Sequence, residues 1–148
     1  MIVNQTGVTL IELLLVISII FIMVVLFNSG IRNLLESLKL RADFRKLYTM
    51  FLKARQLTII KQKPYGIFFN QEQRAYTLFC ENGSDIKTID LKNGINYHNG
   101  DIVFGGDKKM TFKPLGTAEG GHVSICNKLN ENYKIIVSGL TGRVRYEK

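Results

Sequence analysis

Two arginines flanking one valine near the C-terminus, in Gly142-Arg143-Val144-Arg145, are the side chains in this sequence best suited to recognition chemistry. On an extended strand, residues two apart point to one face, about 6.5–7 Å apart along the backbone. That spacing is comparable to the separation of successive phosphates on a nucleic-acid strand, so each guanidinium fork would engage one phosphate. Gly142 would let a backbone approach closely and Lys148 adds charge; Lys108, Lys109 and Lys113 would extend the surface if the fold brings them near. Binding of this kind would ignore base sequence and weaken steeply with salt. The competing reading is an edge strand whose charges discourage edge-to-edge aggregation.

Glu12 is the second residue that calls for a chemical reason. It lies inside an apolar run, where an unpaired carboxylate in a bilayer costs about 2.5–3.5 kcal/mol. Elsewhere no catalytic constellation is expected. His98 and His122 are single, without a partner nearby in sequence. Gly105-Gly106 and Gly120-Gly121 lack the Lys-Ser/Thr of a phosphate-binding loop and read as turns. Cys80 and Cys126 form no CxxC, so neither a metal nor another cofactor is expected. They would make one disulfide outside the cytoplasm, or stay as two buried thiols. The sequence does not read as an enzyme.

These residues need positioning elements. From Val8 to Phe27 only Thr9, Glu12 and Ser18 are not apolar, and a helix of that length spans roughly 30 Å, the hydrocarbon thickness of a bilayer. A secretory signal peptide is excluded by the absence of a basic start, the length of the run and the lack of a small-residue cleavage site. All 20 Lys and Arg residues follow this run, an excess that suits anionic partners. Asn28-Ser29-Gly30 marks a membrane exit. From Ile31 to about Lys61 the helix continues, with Leu40, Phe44, Leu47, Phe51 and Ala54 forming one apolar stripe beside Tyr48 and Leu52. Lys63-Pro64 ends it. Short strands are then expected at Tyr65–Phe69, Arg74–Cys80, Lys87–Leu91, Asp101–Phe104, Met110–Phe112, His122–Cys126, Tyr133–Val137 and Arg143–Tyr146. Turns are expected at residues 81–84 and at Asn99-Gly100. The expected fold is α+β: a long N-terminal helix packed on a small, mostly antiparallel β domain. Its segments are a leader at 1–7, a membrane-spanning helix at 8–27, an amphipathic continuation at 28–62 and a β-rich domain at 63–148.

Gly7-Val8-Thr9-Leu10-Ile11-Glu12 resembles the processing motif of type IV prepilins, in which a short leader ending in Gly precedes a TLIE-type apolar helix. The resemblance implies cleavage between Gly7 and Val8 by a prepilin peptidase and N-methylation of Val8. Glu12 then becomes the fifth mature residue, the family's signature glutamate. A carboxylate beside a freshly exposed amine gains a charged partner in low dielectric, which favours packing into a filament. Val8 stands where the family usually has Phe, and the leader lacks a basic residue. Arg32, Lys39, Arg41, Arg45 and Lys46 follow the span, so a positive-inside count would put the C-terminal domain in the cytoplasm; the motif puts it outside, and we follow the motif.

Phe112-Lys113-Pro114-Leu115-Gly116-Thr117, Gly120-Gly121-His122-Val123-Ser124-Ile125 and Ile136-Val137-Ser138 leading to Thr141-Gly142-Arg143-Val144-Arg145 resemble the GspH/FimT group of minor pilins and pseudopilins. The resemblance implies a subunit of a bacterial inner-membrane assembly, single-pass, with its globular domain periplasmic and other pilins or pseudopilins as partners. In the FimT-like branch it also implies capture of DNA for uptake in natural transformation, here through Gly142, Arg143, Arg145 and Lys148. A GspH-type pseudopilin of a type II secretion system, without DNA binding, is the first alternative. A membrane-anchored basic domain that never assembles is the second.

Overall fold

The computed structural model describes residues 9–81, 83–104 and 108–148. One helix, α1, runs from Leu10 to Lys61, and the chain divides into a unit ending at Leu35 and a second from Glu36 to Lys148. Within the first unit, the apolar side chains from Leu10 to Val25 are all exposed. By length and composition α1 is able to cross a membrane. Ser18 does not interrupt it, because its hydroxyl donates to the Leu14 carbonyl at 2.8 Å. The backbone stays helical through Asn28-Ser29-Gly30.

In the second unit, the remainder of α1 precedes strands β1 (Tyr65–Asn70), β2 (Ala75–Cys80), β3 (Ser84–Asp90), β4 (Asn96–Val103), β5 (Lys109–Phe112), β6 (Gly121–Cys126), β7 (Asn132–Val137) and β8 (Val144–Glu147). They form two sheets, ordered β3-β2-β1-β5 and β4-β6-β7-β8, and every strand pairing is antiparallel. Leu40, Phe44, Leu47, Phe51 and Ala54 of α1 are buried in one cluster with Ile67, Phe69 and Met110 of the first sheet and Ile125, Ile135 and Val144 of the second. The stripe expected from the three- and four-residue spacing is therefore the helix's core face, with Tyr48 and Leu52 packed at its margin.

Polar contacts fix how the helix meets the sheets. The Asp43 carboxylate, buried on α1, accepts the Lys92 backbone N–H at 2.7 Å, tying the helix to the β3–β4 connection. At the helix end, Thr58 donates to the Ala54 carbonyl and accepts the Tyr65 N–H. Gln62, at φ 51°, turns the chain out of the helix just before Lys63-Pro64. Between the sheets, the Tyr97 hydroxyl donates to the Ala75 carbonyl at 2.8 Å.

Several expectations are corrected. Asn99-Gly100 is not a hairpin turn but part of β4, where the register shifts between Tyr97 and Ile102; the turn-forming residues are absorbed as a bulge. Gly120-Gly121 is not a turn either. Gly121 opens β6, and a Cβ there would collide with the Val103 carbonyl of the neighbouring strand, so the glycine permits close strand approach. Gly105-Gly106 lies outside the described residues. β3 starts earlier than expected, at Ser84. β8 begins at Val144 rather than Arg143, because Gly142 turns the chain with φ 56° immediately before it.

Candidate functional site

Three groups of residues singled out by their chemistry can be placed. The first is at the start of α1. Thr9 accepts the Glu12 backbone N–H through its hydroxyl at 3.4 Å and through its carbonyl at 3.1 Å. Thr9-Leu10-Ile11-Glu12 therefore has the arrangement of a helix N-cap followed by a glutamate in the first turn, where a carboxylate is favoured by the helix dipole. That signal was present in the sequence as a Thr-x-x-Glu spacing. Among the described residues, no side chain pairs with the Glu12 carboxylate. Gly7 and Val8, the expected cleavage and methylation positions, lie outside the described residues.

The second group is at the C-terminal edge strand. Arg143 and Arg145 are both exposed while Val144 between them is buried, so the two guanidinium groups leave the same face of the strand. Gly142 is buried, and a Cβ on it would stand 2.5 Å from the Gly116 carbonyl oxygen. The Gly142 N–H donates to the Ser138 carbonyl at 2.8 Å, and the Arg143 carbonyl accepts the Ser138 N–H at 3.0 Å. The glycine thus permits close backbone contact with the β5–β6 loop. That same loop is closed by the Lys113 N–H on the Thr117 carbonyl and the Gly116 N–H on the Lys113 carbonyl. Exposed Lys113 accordingly sits on the loop against which Gly142 packs. Lys108 lies at the far end of β5, its ammonium 2.7 Å from the Gln71 side-chain oxygen. Lys109 opens that strand opposite Phe68 of β1. Lys148 is directed onto the Tyr133 ring, 6.0 Å from its centroid.

The third group was not anticipated. The β4 bulge places Asp101 beside both histidines: His98 Nδ1 is 3.2 Å from one carboxylate oxygen and His122 Nε2 is 3.9 Å from the other. Residues that looked solitary in sequence therefore share one acidic partner. Cys126 lies close enough for the Asp101 charge to matter; burial first, then that charge, pushes its thiol pKa up. A raised pKa makes a thiol less reactive. Cys80 and Cys126 are both free, one ending β2 in the first sheet and the other ending β6 in the second. Among the described residues no group of acidic, histidine and cysteine side chains is placed to hold a metal ion.

Solved structures that share this fold include a minor pseudopilin and a minor pilin. The minor pseudopilin EpsH from the type 2 secretion system of Vibrio cholerae is 14% identical, with a TM-score of 0.59 over 76% of this chain and 94% of its own. The type IV minor pilin FimU of Pseudomonas aeruginosa is 16% identical, with a TM-score of 0.60 over 76% of this chain and 91% of its own. At these identities the likeness establishes a shared fold. No protein-family model matches the sequence, and no curated protein matches it.

Proposed function

We propose that this chain is a minor pilin or pseudopilin of the GspH/FimT group. It is held in the bacterial inner membrane by α1, cut between Gly7 and Val8 by a prepilin peptidase, methylated on Val8 and assembled with other pilins into a filament. Its globular domain lies on the periplasmic side. The observation that carries the reading is the pairing of an apolar helical segment, exposed from Leu10 to Val25 and bearing one carboxylate in its first turn, with a fold shared by EpsH and FimU. An exposed apolar surface of that extent must be covered by lipid or by other helices.

Within this reading, Arg143 and Arg145 bind the backbone of extracellular DNA during uptake. Their common exposed face supports this. The second reading, a pseudopilin of a type II secretion system that binds no DNA, is supported by the comparable match to EpsH.

Glu12→Gln tests assembly. Glutamine leaves the Thr9 cap on the residue-12 backbone N–H in place but removes the charge, so the helix should form while incorporation into sheared filaments falls at least about tenfold. The intact mass of membrane-extracted protein, in a host with the peptidase, should match a chain beginning at Val8. Uncut Met1 protein there, or normal incorporation of Glu12→Gln, overturns the reading.

A further inference from the structure

We infer that a groove beside the C-terminal strand, lined by Arg41, Phe44, Arg45, Tyr48, Tyr133 and Tyr146, is a binding site for single-stranded nucleic acid. It has a volume of about 460 Å³, within the range of sites that hold small organic groups. Phe44 forms its buried floor. The Tyr133 ring stacks on Phe44 at 4.7 Å, and Tyr146 stands edge-on to Phe44 and to Tyr48, each at 5.5 Å. Tyr146 remains 57% exposed, so this aromatic cluster is not closed over as core.

Cations surround the rings. Arg41 and Arg45 are exposed one helical turn apart, and Lys148 reaches the Tyr133 ring from the other side. Among the described residues, neither arginine is ion-paired to a carboxylate. Glu131 is held aside by hydrogen bonds, one of its oxygens accepting Ser37 Oγ at 2.7 Å and Asn127 Nδ2 at 2.8 Å. Its charge is nonetheless felt by Lys148 and Arg41, which leaves Arg45 as the cation beside the rings with least competition. Glu147 pairs in register with Lys134 on β7, and strand alternation puts it on the Arg145 face, away from Tyr146. The exposed Tyr146 ring, backed by Phe44 and Tyr48 and flanked by the Arg41 and Arg45 guanidinium groups, fits an unstacked base with its phosphates. A duplex, whose bases are already stacked, cannot present a free base face.

This inference deepens the nucleic-acid part of the proposed function and takes its class of ligand from it, but it rests on different residues. Tyr146 and Arg145 occupy opposite faces of β8, so the two sites separate by mutation. The test uses the full chain in an uncharged detergent and compares a labelled oligothymidylate, an abasic strand of equal charge and a duplex. The wild type should bind the oligothymidylate at least about fivefold more tightly than the abasic strand. Tyr146→Leu should abolish that ratio and leave duplex affinity within about twofold, whereas Arg41→Gln with Arg45→Gln should weaken the oligothymidylate and the abasic strand together. Tyr146→Phe should keep it, which controls for folding.

Arg143→Ala with Arg145→Ala should weaken duplex binding and preserve the ratio. A ratio near one in the wild type, or one that survives Tyr146→Leu, overturns the groove. So does binding to anionic vesicles without binding to either strand, which would assign the groove to a lipid surface. Discrimination for bases without any duplex binding sinks the Arg143–Arg145 reading and leaves the groove standing.

Discussion

Changing Arg143 and Arg145 together to alanine should flatten the salt dependence of duplex binding by about two units of slope. Both side chains are exposed on one face of the strand, with Val144 buried between them, so each can neutralise its own phosphate. One phosphate contact contributes a slope of about −0.9 in log K against log salt on duplex DNA, so two contribute about −1.8. Between 50 and 200 mM salt, the variant should then lose roughly tenfold less affinity than the wild type. Fluorescence anisotropy of a labelled duplex, with the full chain in an uncharged detergent, measures this directly. A duplex of scrambled sequence should give the same slopes, because backbone contacts carry no base information. Surface changes of this kind should move the melting temperature by less than about 2 °C. If the arginines only protect an edge strand, the variant will scatter light through aggregation while its salt slope stays that of the wild type. An unchanged slope refutes phosphate binding by this pair.

Gly142→Ala should destabilise the domain by about 1–3 kcal/mol, since the added methyl meets the Gly116 carbonyl in a left-handed conformation. A thermal melt matching the wild type would show that the loop contact is slack. Asp43→Ala leaves the Lys92 N–H without its 2.7 Å acceptor and should cost about 1–3 kcal/mol; the urea midpoint should fall with its slope unchanged. Burial, and secondarily Tyr76, raise the Tyr97 hydroxyl above its ordinary pKa of 10.0. The folded chain thus holds that proton where the unfolded chain releases it, and stability should fall as pH rises above about 10. Tyr97→Phe loses the bond to Ala75 but should make the alkaline limb shallower; an identical limb would contradict the assignment.

What the sequence made legible was whatever had a short period. The helix stripe from Leu40 to Ala54 follows from three- and four-residue spacing, and the core face appears where it was expected. Alternation around Val144 likewise predicted that Arg143 and Arg145 share a face, although the ladder starts one residue later. The Asn99-Gly100 dipeptide misled because turn propensity is local, whereas pairing of β4 with β6 on both sides of it decides the outcome. The Asp101 cluster then follows only from that bulge. Asp43 was invisible for the same reason: nothing on α1 says that the Lys92 N–H, 49 residues away, will need an acceptor. The aromatic groove shows the limit most clearly. Tyr48 was readable as the margin of the stripe, but Tyr133 and Tyr146 reach it only because β8 pairs with β7 at the edge of the second sheet. Once that edge is set, consecutive residues of one strand must face opposite ways. The strand that presents arginines outward therefore turns a tyrosine toward the cationic side of the helix.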